Sequence, residues 1–582
     1  MAQALRRRQL SPAGGVPERV GGMRLARIAP PLTLLVLVGP LAFGLAGTLL
    51  PAFGYLPSLG GTRFSLDAFH LLAGTPGIVR SAATSILAGL VTTLLALLCV
   101  VAFAAGHLDS PLFLRMRRLI SPLLAVPHAA AAFGFAFLVA PSGLMMRLVS
   151  PWLTGLDRPP DVLIVHDPMA ITMVAGLVIK EIPFLFLVMM AALPQLRHKE
   201  TLQLGRCLGY GRVASFIFLL WPQIYAQMRL AVFAVLAYAT SVVDVAVILG
   251  PQLPPTLPVR LIEWMNDPEL QTRYLASAGA LLQLVATFAA LLGWLGIERI
   301  GGLLVSLPSG RGLRFRHDRP ARHAALAAMA LSALMVFGGI AMLGLWSLAG
   351  LWQFPKALPS AFTLDRWSAA LPRILDPLVT TLWVAGISTA IAVVLTILCL
   401  ERELETGRGQ GGRSLMLIYL PLIVPQISFM FGLQVLAIAA GVEGTAASLV
   451  LAHLVFVLPY VFLSLSDPWR AHDRRYDAIA AGLGMSRTRA LMRVRLPMLA
   501  RAILTAAAVG FAVSVGQYLP TVLIGAGRLT TVTSEAVALA AGGNGRVIGV
   551  YGFLQTVLPF LAFAIATAVP NLLFRHRRGL RL

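Results

Sequence analysis

Tyr476-Asp477-Ala478-Ile479-Ala480-Ala481-Gly482-Leu483-Gly484-Met485-Ser486-Arg487, running on to Leu496-Pro497, spells two short helices joined by a tight turn. Small residues at 478 and 480–482, Ala480 and Ala481 among them, let one helix approach another surface closely. Gly484 suits the left-handed conformation that ends a helix. Ser486 is a good amino-terminal cap for a second helix over 487–495. Pro497 fits the first turn of the helix that follows, where its missing N–H costs nothing. The same pattern occurs earlier: Leu208-Gly209, Arg212 and Pro222 match Leu483-Gly484, Arg487 and Pro497, with Gly211 as a permissive cap. One copy would read as an ordinary amphipathic loop. Two copies with the same spacing from glycine to proline argue for a docking element.

Working outward, the flanking sequence repeats as well. Ala88-Gly89-Leu90-Val91-Thr92 matches Ala385-Gly386-Ile387-Ser388-Thr389, and Val126-Pro127 with Phe133-Gly134 matches Val424-Pro425 with Phe431-Gly432. Ile182-Pro183-Phe184 matches Leu458-Pro459-Tyr460. The offset falls from about 297 to about 275 between these pairs, which places an insertion of about 22 residues around 141–167. Four matches in one order describe a parallel internal repeat.

Between the motifs lie apolar runs near 28–49, 80–106, 119–140, 168–193, 224–250 and 274–297, then 324–349, 377–400, 414–440, 445–466, 498–525 and 550–573. Each has about the twenty residues needed to cross a bilayer as a helix. The expected fold is therefore an all-α polytopic membrane protein of about twelve transmembrane helices, arranged as two parallel six-helix repeats. Repeat 1 is expected over 28–297 and repeat 2 over 324–574. A basic linker (298–323) and basic tails (1–27 and 575–582) complete the division. The first run follows Arg24 and Arg27 as a signal peptide would, but it is longer than a signal core and an even helix count needs it.

Composition agrees. Of 582 residues 58% are apolar and 12% charged, against about a quarter charged in soluble domains, and mean hydropathy is +0.82. The net charge of +23 would suggest nucleic acid in a soluble chain. Here it sorts by side instead: 33 of the 47 Lys and Arg fall on the side of both termini and the linker, and 11 on the other. By the positive-inside rule both termini are cytoplasmic, and no nucleic-acid partner is needed. The linker arginines could also attract anionic lipid.

Cys99, Cys207 and Cys399 are too scattered for a metal site or a disulfide framework. The three lysines, Lys180, Lys199 and Lys356, never follow glycine, so no phosphate-cradling Gly-Lys-Ser/Thr loop is present. The chain is expected to bind no cofactor and to have no catalytic residues.

The repeated element resembles the conserved loop of permease subunits in binding-protein-dependent ABC importers: Glu-Ala-Ala, three residues, Gly, then Ile-x-Leu-Pro. Gly209 and Gly484 stand at the motif's glycine, Leu496-Pro497 at its end, and Trp221-Pro222 at the first-half counterpart. Gln203 and Ala478 occupy the Glu positions, with Glu200 and Asp477 nearby. Two fused permease units are the layout of iron(III)-type and thiamine-type systems. A sister group of unsettled substrate shares it, and the outer loop Leu50-Pro51-Ala52-Phe53-Gly54-Tyr55-Leu56-Pro57 looks most like that group. The resemblance implies a bacterial inner-membrane location, a periplasmic solute-binding protein, and a separate ATPase in two copies that binds ATP-Mg and docks on these loops.

Ionisable residues at mid-bilayer usually face protein or water. Lys180 and Glu181 precede Pro183, His128 and Gln426 follow the matched prolines, and Asp244 and Gln517 follow the matched Ser241 and Ser514. Helix–helix contacts would satisfy each alone. Their pairing by repeat points to a shared central path, compatible with a cation, an oxyanion or a vitamin. A twelve-helix secondary transporter is the alternative, but it would carry its signature between helices two and three, where His107–Arg118 lacks it. A membrane-embedded enzyme lacks His-Glu-x-x-His and nucleophile-elbow motifs.

Overall fold

A computed structural model describes residues 24–310, 314–316, 318–407, 412–542 and 544–573. The expected tails lie outside the described residues, apart from 24–27, which open the first helix. Ten helices among the described residues are long and apolar enough to cross a membrane, or up to twelve if two bent pairs each count as one span. The protein is an all-α polytopic membrane protein.

In the first half the principal helices are α1 (Arg24–Ala52), α2 (Ile78–His107), α3 (His128–Val139), α4 (Ile171–Ala192), α5 (His198–Cys207), α6 (Trp221–Ser241), α7 (Asp244–Leu249) and α8 (Thr272–Gly310). The second half holds α9 (Arg319–Leu348), α10 (Asp365–Thr406), α11 (Gly412–Ile423), α12 (Gln426–Ala439), α13 (Ala446–Arg470), α14 (Arg475–Gly482), α15 (Ala500–Val515), α16 (Leu519–Gly525) and α17 (Gly545–Leu573).

Four spans expected to be continuous are broken. The run 119–140 breaks at Val126-Pro127, and 414–440 bends by 86° between α11 and α12 at Val424-Pro425. Proline removes a backbone donor and pushes the preceding residue out of the helical region; Val126 is extended, at φ −69° and ψ 123°. The run 224–250 breaks at Val242-Val243, and 498–525 between Val515 and Leu519. The second copy of the repeated element also differs from expectation. After Pro497 the chain bends by 76° at Leu499 before α15, whereas Pro222 lies in the first turn of α6 itself.

Helix α8 continues to Gly310, past 298 where the linker is expected to begin. Glu298 pins that extension to α6, accepting hydrogen bonds from Arg229 at 2.7 and 3.0 Å and from the Tyr225 hydroxyl at 2.5 Å. Exposed Ile300, Leu303 and Leu304 continue its apolar surface.

Each half is covered by the first helix of the other. Helix α1 lies along α12, where Thr48 donates to the Ser428 carbonyl at 2.9 Å and accepts from the Gly432 N–H at 3.0 Å. Helix α9 lies along α3, with Gly339 on Gly134. A Cβ at Gly134 would come within 2.7 Å of the Gly339 carbonyl, and one at Gly432 would overlap Gly44. Lipid offers no hydrophobic drive between helices, so small residues that admit close backbone contact hold such crossings. The largest buried cluster accordingly joins Phe103, Phe186 and Trp294 of the first half to Met329, Ala333 and Tyr551 of the second.

Candidate functional site

The four breaks converge. His128 and Gln426 are the first residues of α3 and α12, Asp244 is the first of α7, and Gln517 sits in the break before α16. Backbone freed from helical bonding at membrane depth is tolerated only inside protein or beside a water-filled space. All four side chains, together with Lys180 and Glu181, line one cavity of about 750 Å³. Both halves build it. From the breaks it runs past Phe184, Tyr419, Tyr460 and Ser464 towards Gln195, Gln227 and Arg470, the end that carries α5 and α14.

Adjacent residues on a helix point apart, and Lys180 and Glu181 do find separate partners. Glu181 pairs with His128 Nε2 at 3.0 Å. Lys180 Nζ donates to the carbonyls of Leu123 and Leu124 at 3.4 and 3.5 Å, on the turn left open before Pro127. The His128 ring packs on Tyr238 at 4.6 Å, and Asp244 lies beside the Tyr238 hydroxyl. At the far end Arg470 grips Glu403 through two bonds, of 2.9 and 3.0 Å.

The tyrosines are what the sequence reading missed. Tyr238, Tyr419, Tyr460 and Tyr518 line the cavity beside the polar residues. Tyr460 and Tyr518 directly follow the matched Pro459 and the singled-out Gln517, so the repeat held a signal for both. Among the described residues no three His, Cys, Asp or Glu side chains gather to hold a metal ion.

The two repeated helix–turn–helix elements share one geometry. Helix α5 ends at Cys207 and α14 at Gly482, and Gly209 and Gly484 follow in the left-handed region at φ +79° and +73°. Gly205 and Ala480 are buried, while Leu204 and Leu208 on one element, and Ile479 and Leu483 on the other, are exposed apolar side chains at equivalent positions. Ala481 is exposed, and Leu496 and Pro497 are half-buried where the element rejoins the membrane part.

Their supports differ. In the second half Ser486 caps its helix, accepting from the Arg489 N–H at 3.4 Å. Arg487 lies 3.7 Å from Glu405, and Arg495 pairs with Glu401 and with Asp477. Asp477, beside the motif's vacant acidic position, is thus held within the chain. In the first half Arg212 donates to the Leu108 carbonyl at the end of α2.

No family model matches the chain. It is 30% identical over 492 residues to the inner membrane ABC transporter permease protein YnjC of Escherichia coli (strain K12), covering 84% of this chain and 86% of that protein. It is 31% identical over 147 residues to the molybdenum transport system permease protein ModB of Mycobacterium tuberculosis, covering 23% of this chain and 55% of that one. A putative 2-aminoethylphosphonate transport system permease protein, PhnV of Salmonella paratyphi A, is 26% identical over 196 residues, 33% of this chain and 74% of its own.

Proposed function

Because this chain belongs to the permeases of ABC transporters, we propose that its two halves move a small solute inwards through the shared cavity by alternating access. It is a multi-pass inner-membrane protein that works with an ATPase and a solute-binding protein. In the proposal the ATPase is present in two copies and supplies all nucleotide chemistry with its own ATP-Mg. Each copy docks on one exposed apolar pair, Leu204/Leu208 or Ile479/Leu483. The positive charge on that face supports cytoplasmic termini. The division into two repeats, a linker and tails belongs to the same proposal.

The observation that carries the reading is the convergence of six polar side chains from both halves, four at helix breaks and two on α4, on one cavity reaching the face that carries α5 and α14. Ionisable groups at that depth usually face protein or water, and a shared path accounts for their gathering on one surface.

Accessibility tests the path and the orientation together. With Cys99, Cys207 and Cys399 replaced, a cysteine at 128 or 426 should react with a membrane-impermeant thiol reagent in inside-out vesicles. Cysteines at 130 and 428 should stay unreactive, since Ala130 and Ser428 are fully buried. Equal labelling at 128 and 130 would return these residues to helix packing. Reaction only in right-side-out vesicles would reverse the orientation.

A further inference from the structure

The two docking elements have different amino-terminal caps, and the difference lies in the linker between the halves. Where the second element has Ser486, the first has Gly211, which carries no side chain to cap its helix. The helix that starts at Arg212 and runs on into α6 therefore needs an acceptor from elsewhere. Asp318, about a hundred residues downstream and immediately before α9, supplies it: its Oδ2 accepts from the Val213 N–H at 2.9 Å.

Asp318 does not act alone. The Arg314 carbonyl accepts from the Gly211 N–H at 3.0 Å, and Arg316 Nε donates to the Gly209 carbonyl at 3.4 Å. The Arg314 guanidinium lies over the Tyr210 ring at 4.6 Å. A Cβ at Gly211 would overlap the Phe315 carbonyl, so the missing side chain leaves the room that the linker fills. Past Asp318, Arg322 donates to the Gly106 carbonyl at 3.1 Å and ties the same strap to the end of α2.

We propose that the inter-half linker is a working part of the first docking element, with Asp318 as a positioning residue that caps its helix in place of Gly211. The first half then offers the ATPase an element whose helix is capped by a distant segment, while the second caps its helix from within the element, through Ser486. This rests on the docking role proposed above for α5 and α14.

Hydrogen exchange on the purified permease without ATPase tests the strap itself. Asp318→Ala should speed exchange over 211–216 at least about fivefold, the change expected on losing a helix cap, and leave 486–491 unchanged. Asp318→Asn keeps a side-chain oxygen and should restore protection. Unchanged exchange over 211–216, or an equal rise over 486–491, would overturn the proposal. Should Asp318→Ala fail to accumulate, Arg316→Ala, which removes the bond to Gly209, undergoes the same measurement with the same criteria.

Cross-linking to the ATPase then reads the consequence. In the Asp318→Ala background, yield from a cysteine at 204 should fall severalfold while yield from 479 holds. Loss at both or at neither counts against an effect confined to the first half. If the unsubstituted protein cross-links at neither 204 nor 479, the docking reading fails, and the exchange result still decides the strap.

Discussion

Glu181 is 4% exposed, and it shares a hydrogen bond with His128 Nε2 at 3.0 Å. Leaving a buried polar group without its partner costs about 1–3 kcal/mol, whereas exchanging it for another hydrogen-bonding group costs less. Glu181→Ala should therefore destabilise the detergent-purified protein by about 1–3 kcal/mol, and Glu181→Gln by clearly less, read from thermal unfolding followed by tryptophan fluorescence. If His128 is held in place for solute passage, uptake into vesicles should fall in both variants, and further than stability alone accounts for in Glu181→Gln. Two variants as stable as the unsubstituted protein would mean that the pair contributes nothing to the fold. Lys180 shows why a partner is hard to read from sequence. Its neighbour Glu181 points elsewhere, and the acceptors it reaches are the backbone carbonyls of Leu123 and Leu124 in the turn before Pro127.

Helices and turns make a stricter demand on residue type. Gly484 sits at φ +73° with open space around its α-carbon, so a side chain there meets strain and no clash. For non-glycine residues the left-handed region costs roughly 1–2 kcal/mol, and asparagine enters it more readily than others. Gly484→Val should open the turn and reduce co-purification of the ATPase, with the protein still present in the membrane. Gly484→Asn should bind close to normally. Loss of the protein itself in the valine variant would make the glycine a requirement of folding. How much was legible also varies by element. The turns after α5 and α14 were read from Gly209, Gly484 and Ser486 because local chemistry dictates them. The breaks at Pro127 and Pro425 were signalled by proline but hidden inside apolar runs of spanning length. The break at Val242-Val243 carries no local signal at all, since two valines suit a helix in lipid as well as an extended turn. The Gly301-Gly302 pair read as linker, yet Glu298 bonded to Arg229 and Tyr225 keeps that stretch helical, and such a contact needs the fold to exist.

The crossing of first helices shapes the whole molecule, and sequence could not show it. Every apolar face is acceptable to lipid, so the pattern of α1 says that it spans and not which half it touches. Its specificity resides in small contacts: Thr48 with Ser428 and Gly432, and Gly339 with Gly134. Gly134 and Gly432 are the matched glycines of the two repeats, so the molecule has two equivalent crossings and a quantitative test follows. An added methyl at Gly134 must push α9 away from α3 by backbone against backbone, where no flexible side chain can yield. Overpacking of that kind costs typically 1–3 kcal/mol. Gly134→Ala and Gly432→Ala should each lower the unfolding temperature, and the double variant should lose about the sum, because well-separated sites add. Gly386→Ala, on α10 with nothing within 4 Å of an added methyl, is the control and should leave the temperature unchanged. A disulfide between cysteines placed across one crossing, at 138 and 338 for instance, where the Leu138 side chain lies over Gly338, should form less readily in Gly134→Ala than in Gly432→Ala. If both glycine variants match the control, the crossings are held by broader packing along α1 and α9, and the close glycine contacts are a consequence of the crossing with no part in causing it.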